Sequence, residues 1–412
     1  MLAADKHVLL CVPDKSSTVN QETVEYLMNN FCGKVFCDIN NFNNHALQSD
    51  SIIYLCGNIG QTLKEMNNSS NPNAEILVVY QVSYNYDCMS ITHLGQVPLN
   101  VHGVGVYFRL FFDPQEDYFG SISSEHKFQC LTESNKSGEA FRTGIYLTEV
   151  EECKNETRFR LLRCSSNLKG PTDNFRGTDR DIVDMANNVS NAFFNGNAKL
   201  NHVLAQIYEN RTLISESNSK VEKKAKIKEH SDKTKDMPEN GLIAFCTFYR
   251  GFKEGFESVL KDAKTANDDQ FDYHYKNCSV LTRLRFRLKK SVTDQSMQKQ
   301  FDVTLYPNSL FIIPLSTNRL YTHEIVPSSL PIDKLPTRLG YVIRCSKTEA
   351  VFKDGKTYID EDGKYIELAE PDEEGIGKLK ELYREENLSD KIINYGKFYF
   401  SLNNGDYQKP IV

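Results

Sequence analysis

Short apolar segments separated by polar turns fill the sequence from about residue 90 to residue 350. They are rich in Val, Tyr, Phe and Leu, and β-branched and aromatic residues favour strands. Many short strands at such close spacing predict a barrel or a jelly-roll sandwich for this part of the chain. One helix is predicted among them, at "DRDIVDMANNVSNAFFNG", because Asp stands in its first turn and its apolar residues recur at helical spacing.

The first 88 residues have a different pattern, in which short apolar runs alternate with helix-prone segments. The runs "HVLLCV", "KVFCDI", "SIIYLC" and "EILVVYQV" are bounded by turn residues, and "QETVEYLMNNF" and "IGQTLKEMNN" lie between pairs of them. This alternation predicts a small α/β domain with a mainly parallel sheet.

The last part of the chain is acidic and mixed in character, with a helix predicted at "GIGKLKELYREE". We therefore predict an α+β chain of three parts. A small α/β domain of open role occupies 1–88, a strand-rich domain occupies 89–350, and an acidic extension follows at 351–412.

The composition limits the kinds of partner that the chain can have. The net charge of −6 argues against a protein that binds polyanions over its whole surface, although local basic patches are compatible with it. No apolar run reaches the roughly 18 residues of a membrane-spanning helix, so no span is predicted. The 11 cysteines include no C-x-x-C pair and fit the reduced thiols of a cytosolic or nuclear protein.

Two basic stretches are candidates for binding an anion. In "RLRFRLKK" alternate residues are basic, so in a strand they would form a row on one face, with the apolar residues on the other. Such a row suits an anionic substrate such as a phosphate. The alternative is an exposed strand face whose arginines pair with local carboxylates. The second basic stretch is the lysine-rich segment 220–235, which includes Lys228, and its alternative is a solvated loop. The row consists of Arg283, Arg285, Arg287 and Lys289.

His230 and Asp232 stand two residues apart in the charged segment that precedes "GLIAFCTFY". In an extended segment such residues point to the same side, so both could bind one metal ion. With a second imidazole they would form the set of two histidines and one carboxylate that is typical of non-haem Fe(II) oxygenases. His323, at the end of a predicted strand, is the candidate for that second imidazole. Taken alone, the motif favours a loop histidine that makes a hydrogen bond.

Arg338 and Arg344 lie six residues apart in "RLGYVIRC", and therefore on one face of a predicted strand. Two arginines on a buried strand are costly unless each finds an anion. A dicarboxylate between them would satisfy both guanidinium groups.

Taken in order, these motifs resemble the AlkB branch of the Fe(II)/2-oxoglutarate-dependent dioxygenases, over roughly residues 175–350. "LNHVLAQIYEN" resembles the family's N-x-x-L-x-N-x-Y strand, and "EHSDKTKDMPENGLIAFCTFY" resembles its H-x-D and the strand after it. "VLTRLRFRLKK", "YPNSLFIIPLSTNRLYTHEI" and "RLGYVIRC" resemble its S-x-G-x-x-R-x-F strand, its G-S-L strand with the distal histidine, and its R-x-x-x-x-x-R. Gln206 replaces the usual Asn, Asn308 replaces the usual Gly, and an insertion at about 250–276 contains the rival ligand His274.

The resemblance implies a double-stranded β-helix (jelly-roll) core and a site for Fe(II), 2-oxoglutarate and O2. Arg338 would pair with the far carboxylate of 2-oxoglutarate, and Arg344 would lie nearer its keto-acid end. Tyr208 and Gln206 would also touch the cosubstrate. The iron ligands would be His230, Asp232 and His323.

The resemblance also implies an N-methylated nucleic-acid base, in RNA or DNA, as the group that is oxidised. Such a base must be single-stranded or flipped out of a duplex to reach the site. The candidates for contacting the substrate's phosphates are Lys228, Arg283, Arg285 and Arg287. Two alternatives stay open: a dioxygenase that hydroxylates a protein side chain or a small molecule, and a non-catalytic jelly-roll scaffold that only binds a partner.

Overall fold

The computed structural model describes residues 4–12, 21–66, 74–87, 89–132, 139–164, 168–214, 219–256, 263–265 and 269–412. They form a mixed α/β protein of many strands and seven α-helices within those ranges. The chain divides into one unit of Met1–Phe111 with Ser190–Asn195 and a second of Phe112–Val189 with Gly196–Val412. The division at residues 88 and 350 stays a prediction. Among the described helices, none combines the length and apolar character needed to cross a bilayer.

The first unit contains a parallel sheet, as predicted, in the strand order β2-β1-β3-β4-β5. The predicted strand "KVFCDI" ends early, at Phe36, because Asp38 caps the next helix by accepting hydrogen bonds from the Asn40 and Asn41 amides. The elements are β1 His7–Val12, α1 Gln21–Asn30, β2 Lys34–Phe36, α2 Ile39–Asn43, β3 Ile52–Asn58, α3 Ile59–Glu65, β4 Glu75–Tyr84, β5 Ile91–Thr92, β6 Leu99–Val101 and β7 Gly105–Phe108.

Most of the strand-rich region and of the helix predicted within it lies in the second unit, whereas β5, β6, β7 and the end of that helix from Ser190 belong to the first. The elements of the second unit up to residue 249 are α4 Tyr118–Glu125, β8 Gln129–Thr132, β9 Glu139–Thr148, β10 Glu151–Cys153, β11 Glu156–Leu161, β12 Asp173–Asn174, α5 Gly177–Phe193, β13 His202–Tyr208, β14 Arg211–Ile214, β15 Lys220–Lys223, β16 Ile227–His230 and β17 Leu242–Tyr249.

The remaining elements of that unit include the helix predicted in the acidic extension. They are β18 Lys264–Thr265, β19 Tyr273–Tyr275, β20 Cys278–Ser279, β21 Arg283–Leu288, β22 Gln300–Thr304, β23 Ser309–Pro314, α6 Leu315–Leu320, β24 Tyr321–Val326, β25 Arg338–Arg344, β26 Thr348–Lys353, β27 Lys356–Glu361, β28 Lys364–Glu367 and α7 Glu373–Leu388.

From β13 to β25 the chain passes repeatedly between two antiparallel sheets, and the separate hairpin β14-β15 and three-stranded sheet β18-β19-β20 are inserted between these passages. One sheet contains the order β13-β25-β17-β23, with β9 beside β13, and the other has the order β16-β24-β21-β22. All eight residues of β17 are buried, as expected of a central strand. Because the chain returns to each sheet after leaving it, strands that are far apart in the sequence become neighbours.

The C-terminal extension is built into the second unit. Strands β26, β27 and β28 continue a sheet with β11 and β10. Arg163 anchors the segment after α7: its Nη2 donates to Asp236 Oδ1 at 2.6 Å, and its Nη1 donates to the carbonyl oxygen of Phe398 at 2.6 Å. Arg163 and Asp236 are both buried, and their ion pair compensates the cost of burying each charge.

A buried histidine joins four elements of the second unit. His126, directly after α4, has its Nδ1 2.9 Å from Asp173 Oδ2 in β12 and its Nε2 2.8 Å from Asp179 Oδ2 in α5. Tyr341 of β25 donates to the other oxygen of Asp179 at 2.8 Å. Only an imidazolium has N–H donors on both nitrogens. Burial opposes the charge, but the bonds to both carboxylates outweigh it and raise the pKa of His126 to about 9.

We predict that the free energy of unfolding falls as the pH rises past neutrality. The pKa of His126 is raised in the folded state, so its contribution is complete below the ordinary value of 6.5 and is lost as the pH passes about 9. The loss should approach about 3 kcal/mol, at 1.36 kcal/mol per pKa unit. Urea unfolding from pH 6 to pH 10 measures it. His126→Gln should flatten this slope, and equal slopes for the variant and the wild type would contradict the assignment.

Candidate metal centre

The three predicted metal ligands come together at the second sheet, two on its strands and Asp232 in the loop that follows β16. His230 ends β16 and His323 lies directly opposite it in β24, and the centroids of their rings are 4.6 Å apart. Asp232 Oδ1 lies 3.6 Å from His230 Nε2 and 4.0 Å from His323 Nε2. Distances of this size suit ligands that share one ion through bonds of about 2 Å. The residues therefore form a group that could hold a metal ion.

The protonation states of His323 and Asp232 suit a metal. His230 Nδ1 donates to the Lys228 carbonyl oxygen at 2.8 Å, which fixes the tautomer and leaves Nε2 as a lone-pair donor. Burial lowers the pKa of His323 to about 3, so its imidazole is neutral. Burial alone would raise the pKa of Asp232, but the Arg344 guanidinium holds it well below its usual value. Metals bind neutral imidazole and ionised carboxylate.

The loop after β16 is held by side chains from distant helices. The Asp232 amide donates to Asn318 Oδ1 at 2.9 Å, and Asn318 Nδ2 donates back to the Asp232 carbonyl oxygen at 3.0 Å. The Ser231 amide donates to Asn387 Oδ1 at 2.9 Å. Arg344 Nε donates to Asp232 Oδ2 at 2.8 Å, leaving Oδ1 toward the histidines. These contacts fix the backbone and the carboxylate of the H-x-D segment.

Arg338 and Arg344 lie on one face of β25, as predicted, and both are buried. The Arg338 guanidinium is 3.9 Å from the centre of the Tyr208 ring, its cross-strand partner in β13. A Cβ at Gly340 would lie 2.8 Å from Arg338 Nη1, so glycine there makes room for the guanidinium. Tyr208 Oη donates to Gln206 Oε1 at 3.3 Å.

Several donors of these arginines have no partner in the described part of the chain. They are Nε and Nη2 of Arg338 and Nη1 of Arg344. Arg344 is paired with Asp232, whereas the buried Arg338 has no anion among the described residues, and a buried cation without an anion is costly. Of the four residues predicted to contact 2-oxoglutarate, Arg338 lies opposite Tyr208 and Gln206 lies opposite Gly340, whereas Arg344 lies at the far end of β25, opposite His202.

The arginine row of β21 is paired with carboxylates. Arg283 and Arg285 both bond Asp302, at 3.1 Å and 2.7 Å, and Arg287 bonds Glu229 at 2.7 Å. The apolar side chains between them are buried or half-buried. The structure therefore matches the alternative in which the row is paired locally, and its contact with a substrate stays a prediction.

Three other basic residues singled out in the sequence, Lys228, His274 and Lys289, are not among the grouped metal ligands. The prediction that Lys289 belongs to the arginine row is wrong. Strand β21 ends at Leu288, and the buried Lys289 Nζ donates to the Glu386 carbonyl oxygen at 2.6 Å. Lys228 is exposed. His274, the rival ligand, has its Nε2 3.0 Å from Asp272 Oδ2 and is not among the grouped ligands.

A second group, Glu125, His126 and Asp179, also lies close enough to approach one ion. Both His126 nitrogens are already engaged by carboxylates, and its pKa is raised rather than lowered. An imidazolium has no lone pair for a metal. We therefore assign this group to the stability of the fold.

Sequence reasoning missed three residues around the site. His202, opposite Arg344 in β13, is buried, and burial lowers its pKa to about 3. Its position could have been found, because counting back in twos from Gln206 places it on the same strand face. Asn318 and Asn387 gave no signal, because they lie in helices remote from the H-x-D segment in the sequence.

Comparison with known proteins adds little to this geometry. No protein-family model and no curated protein matches the chain. Among solved structures, that of OsALKBH1, a rice AlkB homologue, is similar at 13% identity with a TM-score of 0.28, covering 56% of this chain and 92% of that chain. A likeness of this size carries no argument, so the candidate site rests on its own geometry.

We predict that the wild-type protein binds one Co²⁺, a probe for Fe(II), and that His230→Ala or His323→Ala abolishes binding. Loss of an outer-shell partner typically weakens metal affinity 10–100-fold, so loss of a ligand should exceed about 100-fold. Isothermal titration calorimetry measures it, with His274→Ala as the matched control that keeps wild-type affinity. Equal affinities for all four proteins would rule out this centre.

Proposed function

We propose that this protein is an Fe(II)- and 2-oxoglutarate-dependent dioxygenase of AlkB type. One observation carries the proposal: the group of two histidines and one carboxylate is bonded through Arg344 to the strand on which Arg338 lies buried without an anion in the described residues. A metal site beside a carboxylate site is what a keto-diacid cosubstrate requires.

The order of the strands supports a double-stranded β-helix as the core. The chain returns repeatedly to each of the two sheets, so that β13, β16, β17, β23, β24 and β25 pair with strands that are not their neighbours in sequence, as in a jelly roll. Asn308, at the family's glycine position before Ser309, has a φ of 55°. Glycine adopts this left-handed conformation freely and Asn tolerates it, so the replacement is compatible with the same turn.

The residues present fit an iron ion. Two neutral imidazoles and an ionised carboxylate are the facial set of non-haem Fe(II) oxygenases, which leaves positions open for other ligands. When bound with 2-oxoglutarate and O2, the iron supplies the oxidation of a C–H bond. His230, Asp232 and His323 would hold it, and Arg344 keeps Asp232 ionised.

The cosubstrate would be held by the face of β13 and β25. Arg338 would bind one carboxylate with its Nε and Nη2, since two parallel N–H donors match a carboxylate. Stacking on Tyr208 fixes the plane of the guanidinium, so little freedom is lost on binding. Arg344 Nη1 provides a second donor nearer the metal ligands, and Gln206 lies on the same face between the two arginines.

A nucleic-acid base is the first candidate for the group that is oxidised. The exposed lysines from Lys220 to Lys228, around β15 and β16, support it as contacts for phosphate. The second candidate is a protein side chain or a small molecule, which the carboxylate pairing of Arg283, Arg285 and Arg287 favours. The complete ligand set speaks against a purely structural scaffold.

The described cysteines are all free thiols, which supports a reducing compartment, the cytosol or the nucleus.

We predict that Arg338→Met raises the KM for 2-oxoglutarate by about 100-fold, because a charge-assisted pair contributes about 1.5–3 kcal/mol. Succinate release from 2-oxoglutarate measures the effect. Co²⁺ affinity should stay at the wild-type value, since Arg338 does not contact the metal ligands. An unchanged KM with active enzyme would exclude Arg338 from the cosubstrate site.

We predict that single-stranded oligonucleotides with an N-methylated base lose one CH₂ unit on incubation with the protein, Fe(II), 2-oxoglutarate and O2. Mass spectrometry detects the loss, and His230→Ala should abolish it. Binding that weakens steeply with salt would accompany this result, because phosphate contacts release counterions. Succinate release without any change in the oligonucleotides would favour the second candidate.

A further inference from the structure

The end of helix α7 contacts the loop that carries two of the three metal ligands. Asn387 Oδ1 accepts from the Ser231 amide at 2.9 Å and from Lys233 Nζ at 2.7 Å. Ser231 is fully buried and stands between His230 and Asp232. A residue 156 positions away therefore holds the backbone between the ligands.

The neighbouring residue of α7 holds the next part of the loop. Glu386 is buried, and its Oε1 accepts from the amide and the hydroxyl of Thr234, at 3.1 Å and 2.5 Å. Its other carboxylate oxygen accepts from Tyr395. Lys233 Nζ also donates to the Tyr383 carbonyl oxygen at 3.1 Å. The loop from Ser231 to Thr234 is thus bonded to α7 through backbone and side chains.

The loop depends on these contacts because it lies outside the sheets. β16 ends at His230, so the amides that follow it have no ladder partners. A buried amide left without a partner costs about 1–3 kcal/mol. Asn318 satisfies Asp232, whereas Asn387 satisfies Ser231. The direction of both ligands toward one ion depends on the backbone of the residue between them, which these hydrogen bonds hold.

We propose that Asn387, supported by Glu386, is a positioning residue that sets the affinity and geometry of the metal centre. The C-terminal extension is then a working part of the metal centre, although none of its residues is a ligand. The inference rests on the proposed function, because it requires that His230, Asp232 and His323 bind a metal. Its chemistry resembles that of other outer-shell partners, which orient ligands without touching the ion.

Co²⁺ binding to the full-length protein tests the inference. Asn387→Ala removes the acceptor, and we expect Co²⁺ affinity to fall by about tenfold or more, with an altered visible absorption spectrum. Asn387→Asp keeps an acceptor for Ser231 and should restore both. Glu385→Ala, at an exposed position of the same helix, is the matched control and should equal the wild type.

The spectrum separates positioning from a structural role, because a change in fold stability alone does not alter the ligand field. Wild-type affinity and spectrum in folded Asn387→Ala would overturn the inference while leaving the proposed function intact. If Asn387→Ala does not fold, Asn387→Leu, of similar size and without an acceptor, takes its place under the same criteria. If the wild type itself binds no Co²⁺, the proposed metal site fails, and this inference fails with it.

Discussion

The buried ion pair between Asp232 and Arg344 is the interaction on which the candidate metal centre depends. Breaking such a pair typically costs about 3–5 kcal/mol, because the remaining charge is left buried and uncompensated. The pair also joins the two sheets, since Arg344 ends β25 and Asp232 follows β16. The orientation of the carboxylate toward the imidazoles is therefore set by a strand that carries neither histidine. The ion pair also keeps Asp232 ionised, as a carboxylate that binds a metal must be.

The register of β16 against β24 is the second constraint. A slip of one residue would send one imidazole to the opposite face of the sheet. Glu229, the residue before His230, supports the register: its carboxylate accepts from Thr322 Oγ1 at 2.6 Å and from Arg287 at 2.7 Å. The arginine row of β21 thus helps to hold the strands that present the metal ligands. The pairing of Arg287 with Glu229 therefore has a structural role that requires no bound substrate.

Sequence patterns were sufficient where a feature depends on alternation within one segment. The common face of Arg338 and Arg344 and the two faces of β21 follow from a period of two residues. The patterns failed where partners come from distant segments or where a cap intervenes. No local signal shows that Asn387 bonds Ser231 or that Asp302 pairs with Arg285, because only the tertiary fold brings these residues together. The convergence of His230 and His323 was predicted from their family-like order rather than from any local pattern.

The position of iron in the protein tests the central claim most directly. Crystals grown without oxygen in the presence of Fe(II) and 2-oxoglutarate would give anomalous diffraction at the iron absorption edge. The account predicts one peak bonded to Nε2 of His230, Oδ1 of Asp232 and Nε2 of His323, with the cosubstrate's far carboxylate on Arg338. A peak at the Glu125–His126–Asp179 group, or none within reach of both His230 and His323, would contradict it.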